Sequence, residues 1–291
     1  MDSRNLKIML KDYYSITKPG IIYGNLLTAA GGFFLASKDH IDFGLLIATM
    51  LGMSLIIASA CVFNNYIDRD IDKLMSRTKK RLIVTGKIPL KNALIYATIL
   101  GVVGALILII FVNVLTFLIG ITAFFVYVVL YGITKRSTVH GTIVGSIAGA
   151  APIVAGYTAV TNRFDFEALL LFFILVFWQM PHFYSIAIYR KADYKAAKIP
   201  VLPIAEGNKV TKVEILVYVA LFAVVCSLLS VFGYTGMVFR VVMLAVSIWW
   251  LYIGFKGFKS EDNKWARKMF GTSLIVIMVL SVMLSLNQLL S

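Results

Sequence analysis

Nine apolar runs divide this chain, near residues 20–37, 43–66, 92–111, 114–133, 139–160, 167–188, 213–232, 236–255 and 270–290. An α-helix needs roughly twenty apolar residues to cross the hydrocarbon core of a bilayer, and these runs supply that length. Lipid offers the backbone no hydrogen-bond partner, so segments that span it singly have to be helices. The expected fold is therefore all-α: a polytopic membrane protein whose nine transmembrane helices form a single bundle enclosing a central cavity. No linker interrupts the pattern, so residues 1–291 are read as one transmembrane domain. Only the neighbourhood of Asn113 separates the third run from the fourth, which predicts a tight helical hairpin there. Composition agrees. The chain is 60% hydrophobic and 14% charged, against about 25% charged in a soluble domain.

A net charge of +14 raises the question of nucleic acid, and the placement of the charge answers it. Of the 28 Lys and Arg residues, 25 fall in the N-terminal segment and in the loops after the second, fourth, sixth and eighth runs. Lys38, Arg163 and Arg240 are the three on the other side. A split of this kind over alternating loops is a topology signal. By the positive-inside rule it places the N-terminus and the long loops in the cytoplasm and the C-terminus across the membrane. Membrane lipid, not nucleic acid, is the surrounding partner. The first twenty residues carry no apolar stretch of the signal-peptide kind, so the first run is expected to stay as a span. Cys61 and Cys226 both lie in apolar runs and suggest neither a disulfide framework nor a metal site.

The second run ends in FNNYIDRDIDKLMSRTKKR. Asn64, Asp68 and Asp72 stand at i, i+4 and i+8, so on a helix they share one face, whereas Asp70 points elsewhere. Carboxylates are unfavourable at a helix C-terminus, where the macrodipole is negative. Arg69 and Lys73 compensate in part. Mg²⁺, which binds carboxylates together with substrate phosphates, would compensate further. A solvated, salt-bridged helix end is the plainer reading of one such cluster. A second cluster at the same membrane face weighs against it: WQMPHFYSIAIYRKADYKAAKIPVLP at 178–203 repeats the i, i+4 spacing in Tyr189 and Asp193. The two units share an orientation, and Asp68 and Asp193 are 125 positions apart, as in a weak parallel repeat. Arg77, Lys79, Lys80, Arg81, Lys135, Arg136 and Lys198 surround these motifs. Singly each is explained by topology; together they suit the charge of a diphosphate.

These residues carry a resemblance. NNYIDRDID at 64–72, SRTKKR at 76–81, KRSTVHGTIVGSIAGAAP at 135–152 and WQMPHFYSIAIYRKADY at 178–194 resemble the intramembrane aromatic prenyltransferase superfamily. TKPG at 17–20 and WARKMFG at 265–271 extend the likeness over nearly the whole chain. WQMPH with its downstream DY is similar to the heme O synthase branch. Leu82 and Ile153 stand where many members have proline, away from any ligand position. The resemblance implies an enzyme of the bacterial cytoplasmic membrane, with farnesyl diphosphate and protoheme IX (heme b) as substrates and heme-handling proteins as partners. Asn64, Asp68, Asp72 and Asp193 would hold Mg²⁺ on the departing diphosphate, with Asp68, Asp72, Asp193 and Tyr189 as the catalytic set. Arg77, Arg81, Lys135, Arg136 and Lys198 would bind the diphosphate. A heme vinyl group would take the allylic cation and water would quench the product, giving heme O.

His182 belongs to this picture because an ionisable residue inside a span is costly and usually functional. Pro181 beside it is expected to kink the sixth helix. The imidazole could ligate heme iron or orient the ring, and simple interhelical hydrogen bonding by His182 and Gln179 is the competing account. His40 and His140 receive no role. The glycines at 141–156 read as small packing residues, since no phosphate-loop lysine pattern accompanies them. Two rival functions stand beside heme farnesylation. One is prenylation of a quinone precursor such as 4-hydroxybenzoate, opposed by WQMPH and by asparagine rather than aspartate at Asn65. The other is secondary transport, opposed by acids that sit at the membrane edge instead of its midplane. The topology has a direct test. Reporter fusions after the second, fourth, sixth and eighth runs should read cytoplasmic and a C-terminal fusion external; a cytoplasmic C-terminus would mean a miscounted span near Asn113.

Overall fold

The computed structural model describes residues 3–38 and 40–290, with side chains described for 8–38 and 40–289. In chain order the helices are α1 (Ser3–Ile16), α2 (Pro19–Ser37), α3 (Phe43–Ile67), α4 (Arg69–Asp72), α5 (Leu90–Phe111), α6 (Val114–Phe125), α7 (Tyr131–Ser137) and α8 (Gly141–Thr161). They continue as α9 (Phe166–Tyr189), α10 (Lys191–Ala196), α11 (Leu202–Ala205), α12 (Gly207–Val231), α13 (Met237–Lys256), α14 (Asp262–Ser285) and α15 (Asn287–Leu290). A π-helical turn, Val126–Leu130, joins α6 to α7. Among the described residues there is no β-strand, and nine helical segments are long and apolar enough to cross a bilayer.

Local chemistry sets the helix starts on the less basic face. Asp42 caps α3 by accepting from the Leu45 amide (2.9 Å), and Asp165 caps α9 by accepting from the Ala168 amide (3.1 Å). Asn113 caps α6 through the Thr116 amide (2.8 Å) and donates to the Thr158 carbonyl (2.9 Å), which pins the expected hairpin to α8. Each cap satisfies amides that a helix start leaves without partners.

The bundle closes around α9, which packs against α8, α12 and α14, while α2 packs against α8 and α14 and α3 against α5. The main apolar core runs through α8, α9, α12, α13 and α14, with Trp250, Phe222 and Phe239 fully buried. On α5, by contrast, Ile99, Val102, Leu106 and Ile110 turn outward as a lipid-facing surface. The 141–156 glycines do serve packing. An added Cβ at Gly156 would lie 1.9 Å from the Ala29 carbonyl oxygen, and one at Gly32 would lie 2.1 Å from the Ile153 carbonyl oxygen. Helices α2 and α8 therefore cross backbone to backbone, which only glycine allows.

Four boundaries differ from the sequence reading. The seventh span begins at Gly207 and the ninth at Asp262, each well before its apolar run. Hydropathy marks where lipid begins, whereas helical hydrogen bonding continues through the charged turns beyond it. Those turns are held: Lys212 Nζ donates to the Gly257 carbonyl (2.6 Å) and pairs with Asp262 (2.5 Å). The ninth span also ends early, at Ser285. The fourth span runs on to Ser137 through the π turn. The sixth helix is continuous from Phe166 to Tyr189, with Pro181 inside it.

The α2–α8 crossing yields a stability test. Gly156→Ala should lower the melting temperature in detergent by several degrees, because overpacking of this kind costs about 1–3 kcal/mol. Gly271 has open space around it, so Gly271→Ala should leave the melting temperature unchanged or raise it slightly.

Candidate active site

Helix α3 ends at Ile67, with Asp68 as its C-cap, and α4 follows at once. The Asp68 amide still bonds to the Asn64 carbonyl (2.9 Å) and the Asp72 amide to the Asp68 carbonyl (2.8 Å), so the helical spacing survives the boundary. Asn64, Asp68 and Asp72 are all buried, while the Asp70 side chain is 62% exposed on the other side. The second acidic motif has the same construction. Helix α9 ends at Tyr189, Arg190 caps it, and α10 carries Asp193.

The two motifs are brought together. Asp193 Oδ1 accepts from the Ser76 amide (2.9 Å) and hydroxyl (2.7 Å). Beneath that link Met75, Ala197 and Ile199 form a small apolar cluster with Ile71, Tyr194 and Val201. Burial raises the Asp193 carboxyl, but the Ser76 hydrogen bonds and the nearby Arg190 and Arg77 outweigh it, so its pKa is held below the usual carboxylate range. Asp70 is lowered to about 2, chiefly by the hydrogen bonds from Arg136.

Every acid of the first motif has a cation. Lys135 from α7 forms a buried pair with Asp68, and both side chains are about 90% withdrawn from solvent. Arg81 pairs with Asp72 at 2.5 Å. Arg136 binds both oxygens of Asp70 (2.8 and 2.9 Å), and it also donates to the Ile67 carbonyl at the end of α3 (2.7 Å). Arg77 and Lys198 are exposed; Lys198 has a positive φ of 54°. Lys18 joins them without having been singled out in the sequence. Its half-buried ammonium lies 3.4 Å from Asn64 Oδ1, and desolvation pushes its pKa down to about 8. Its backbone is left-handed (φ 57°) directly before Pro19, a strained conformation for a side-chain-bearing residue.

Behind this polar end lies a cavity of about 430 Å³ walled by α2, α3, α6, α7, α8, α9 and α14. Lys135, Tyr131 and Tyr194 stand at its charged end, and Trp178, Gln179 and His182 line its wall on α9. The π turn contributes Tyr127, stacked on Tyr131 (5.5 Å, 17°), and Lys135 lies over the Tyr131 ring. Tyr189 does not line this cavity. It sits between the guanidinium groups of Arg190 (5.5 Å) and Arg267 (5.4 Å) and lines a separate surface groove with Lys191 and Asp262. Gln179 donates to the Ser146 carbonyl (3.0 Å), and Gly149 leaves the room its amide occupies.

The donor set fits Mg²⁺. Asn64, Asp68 and Asp72 offer hard oxygen ligands on one buried face, the donor type Mg²⁺ takes. Among the described residues no three His, Cys, Asp or Glu side chains gather into a metal cage. Mg²⁺ does not need one, because it keeps waters and shares its coordination between one or two carboxylates and substrate phosphates.

The profile of the UbiA prenyltransferase family matches residues 25–282. The chain belongs to the UbiA prenyltransferase family. Among its relatives is the protoheme IX farnesyltransferase of Pseudomonas savastanoi pv. phaseolicola, 52% identical over 280 residues, covering 96% of this chain and 95% of that protein. The protoheme IX farnesyltransferase of Yersinia pestis (strain Pestoides F) is 51% identical over 282 residues with the same coverage. In fold, this UbiA-family chain is similar to a digeranylgeranylglyceryl phosphate synthase, with a TM-score of 0.79 at 18% identity, covering 97% of this chain and 99% of the other. It is similar also to a UbiA homolog from Archaeoglobus fulgidus bound to GPP and Mg²⁺, with a TM-score of 0.73 at 17% identity, covering 94% and 99%.

The buried pair gives this site its own test. Asp68→Asn leaves Lys135 charged and uncompensated, and losing one partner of a buried pair costs about 3–5 kcal/mol. Thermal melts in detergent should therefore show Asp68→Asn strongly destabilised and the double variant Asp68→Asn/Lys135→Met closer to wild type. Additive losses would mean that the two side chains are not coupled.

Proposed function

We propose that this chain transfers the farnesyl group of farnesyl diphosphate to a vinyl group of protoheme IX, with addition of water, giving heme O and diphosphate. The observation that carries the proposal is the joining of two opposite environments in one site. A cation-rich acidic end suits a metal-bound diphosphate, and it opens into an aromatic cavity with an imidazole on its wall. The full-length likeness to proteins named protoheme IX farnesyltransferase supports heme over a quinone precursor such as 4-hydroxybenzoate. Membership of a prenyltransferase family argues against transport.

The whole chain acts as one transmembrane prenyltransferase domain in the bacterial inner membrane, with the basic face and the N-terminus cytoplasmic. Asn64, Asp68, Asp72 and Asp193 would hold Mg²⁺, which when bound supplies Lewis-acid neutralisation of the leaving diphosphate. Arg77, Arg81, Lys135 and Lys198, joined by Lys18, bind the remaining phosphate charge. Arg136 reaches it less directly, since Asp70 engages it. The C1–O bond of the prenyl group breaks with its electron pair leaving on the diphosphate. Tyr127, Tyr131 and Trp178 face the allylic cation. The vinyl π pair forms the new C–C bond, and water adds to the resulting cation and loses a proton. His182 holds the heme deeper in the cavity than the diphosphate. Tyr189, between two arginines, steadies the second motif rather than touching the reacting atoms. Heme-handling proteins would deliver the substrate and collect the product.

Purified protein incubated with heme b, farnesyl diphosphate and Mg²⁺ should yield a hydroxyethylfarnesyl heme by mass, and 4-hydroxybenzoate should remain unprenylated. The reverse result would replace the heme reading by the quinone one. Asp68→Asn, Asp72→Asn and Asp193→Asn should each abolish turnover in protein that still elutes as a folded species, and chelation should mimic them. Asp70→Asn should retain most activity; equal sensitivity would end the single-face account of the metal ligands.

A further inference from the structure

His182 is held by a set of contacts that the heme reading does not by itself require. Its ring lies between Trp178, stacked at 5.0 Å and 25°, and Phe270, at 4.8 Å and 37°. With Phe183 edge-on at 5.3 Å, three aromatic rings pack the imidazole, and its ring nitrogens are left to act. Nδ1 lies 2.8 Å from Ser273 Oγ. Ser273 is fully buried on α14, its hydroxyl donates to the Phe270 carbonyl at 2.6 Å, and its own carbonyl accepts from Trp178 Nε1 at 2.8 Å. Its position is therefore set.

A hydroxyl has one proton to give. The Phe270 carbonyl can only accept, so with the Ser273 proton directed there along the shorter contact, the hydroxyl accepts from His182. The proton of a neutral imidazole then resides on Nδ1, and Nε2 carries the lone pair. Among the described residues Nε2 has no hydrogen-bond partner, and His182 lines the cavity. We propose that Ser273 is a positioning residue that fixes His182 in the Nδ1–H tautomer, so that Nε2 is presented to the cavity as the axial ligand of the heme iron. The proposal rests on the heme reading and adds to it which nitrogen binds and what orients it. It follows a general pattern in which a metal-binding histidine donates its other N–H to an outer partner that fixes its tautomer and raises its basicity.

The test uses the purified full-length protein titrated with heme b, with the iron–histidine stretching band of the ferrous complex recorded by resonance Raman. Wild type should show the band and His182→Ala should lose it. Ser273→Ala should bind heme about tenfold more weakly, in line with the loss of an outer partner. Its band should also move to lower frequency, since the imidazole loses an acceptor for its N–H. Ser273→Thr keeps the hydroxyl and should restore both values. Binding of farnesyl diphosphate with Mg²⁺ should be unchanged in all three. A weaker heme affinity with an unmoved band in Ser273→Ala would make Ser273 a packing residue and overturn the proposal. A band that persists in His182→Ala would place the ligand elsewhere and overturn it while leaving the heme reading intact. Wild-type protein that binds no heme would end both.

Discussion

The buried pair between Asp68 and Lys135 is the constraint on which the charged end of this molecule depends. A carboxylate at the end of α3 faces both desolvation and the negative end of a helix dipole. Left alone it would pull the helix end toward water. Lys135 prevents this from the fourth span, and the fourth span is shaped to let it. The π turn at Val126–Leu130 changes the helical phase just before α7, so the following turn directs Lys135 inward to Asp68 while Arg136 reaches Asp70 and the last carbonyl of α3. Insertions of this kind recur at functional sites because they re-aim side chains without ending a helix. Two cations thereby serve two carboxylates and a helix terminus.

The second motif repeats the first in outline. Each unit opens with an aspartate N-cap, Asp42 or Asp165, crosses the membrane as one long helix, breaks for a single residue and resumes as a short acidic helix. The weak repeat in the sequence is thus a repeat of construction. The two copies differ in their cations. Asp72 and Asp68 are buried against Arg81 and Lys135, whereas Asp193 is half-buried and held by neutral donors from Ser76. The first motif is the more costly to assemble. The second, tied to the loop of the first, is the part whose ligand contacts can adjust most cheaply.

Much of this was legible in the sequence because it follows from one-dimensional patterns. Apolar length marked all nine crossings, and i, i+4, i+8 spacing put Asn64, Asp68 and Asp72 on one side and Asp70 on the other. What depends on helix continuation in water was not legible: the charged first turns of α12 and α14 carry no hydropathy signal, and α1 precedes the first span. Phase changes were equally hidden, since VYVVL reads as ordinary apolar helix. Partners across the fold were hidden too. Lys18 looks like one basic residue among many, and only folding brings it to Asn64. TKPG did contain a clue, since proline disfavours helical geometry at the residue before it. Ser273 sits in an unremarked apolar run, and its role exists only because α14 lies beside α9.

Helix α9 joins both halves of the proposed chemistry in one rigid element. His182 precedes the helix end at Tyr189 by seven residues, a rise of about 10 Å, and Asp193 lies just beyond that end. The helix is continuous through Pro181, so one element sets this separation. With the distance fixed, the site measures its substrates. On the proposed reading, diphosphate oxygens would engage the loops, the first prenyl carbon would reach past Tyr131, and a tetrapyrrole held at His182 would bring one edge to meet it. Selectivity for a large planar acceptor would then follow from geometry as well as from the proposed ligation. A small phenolic ring seated at the acidic end would gain nothing from His182, and one seated at His182 would leave most of the aromatic wall uncovered.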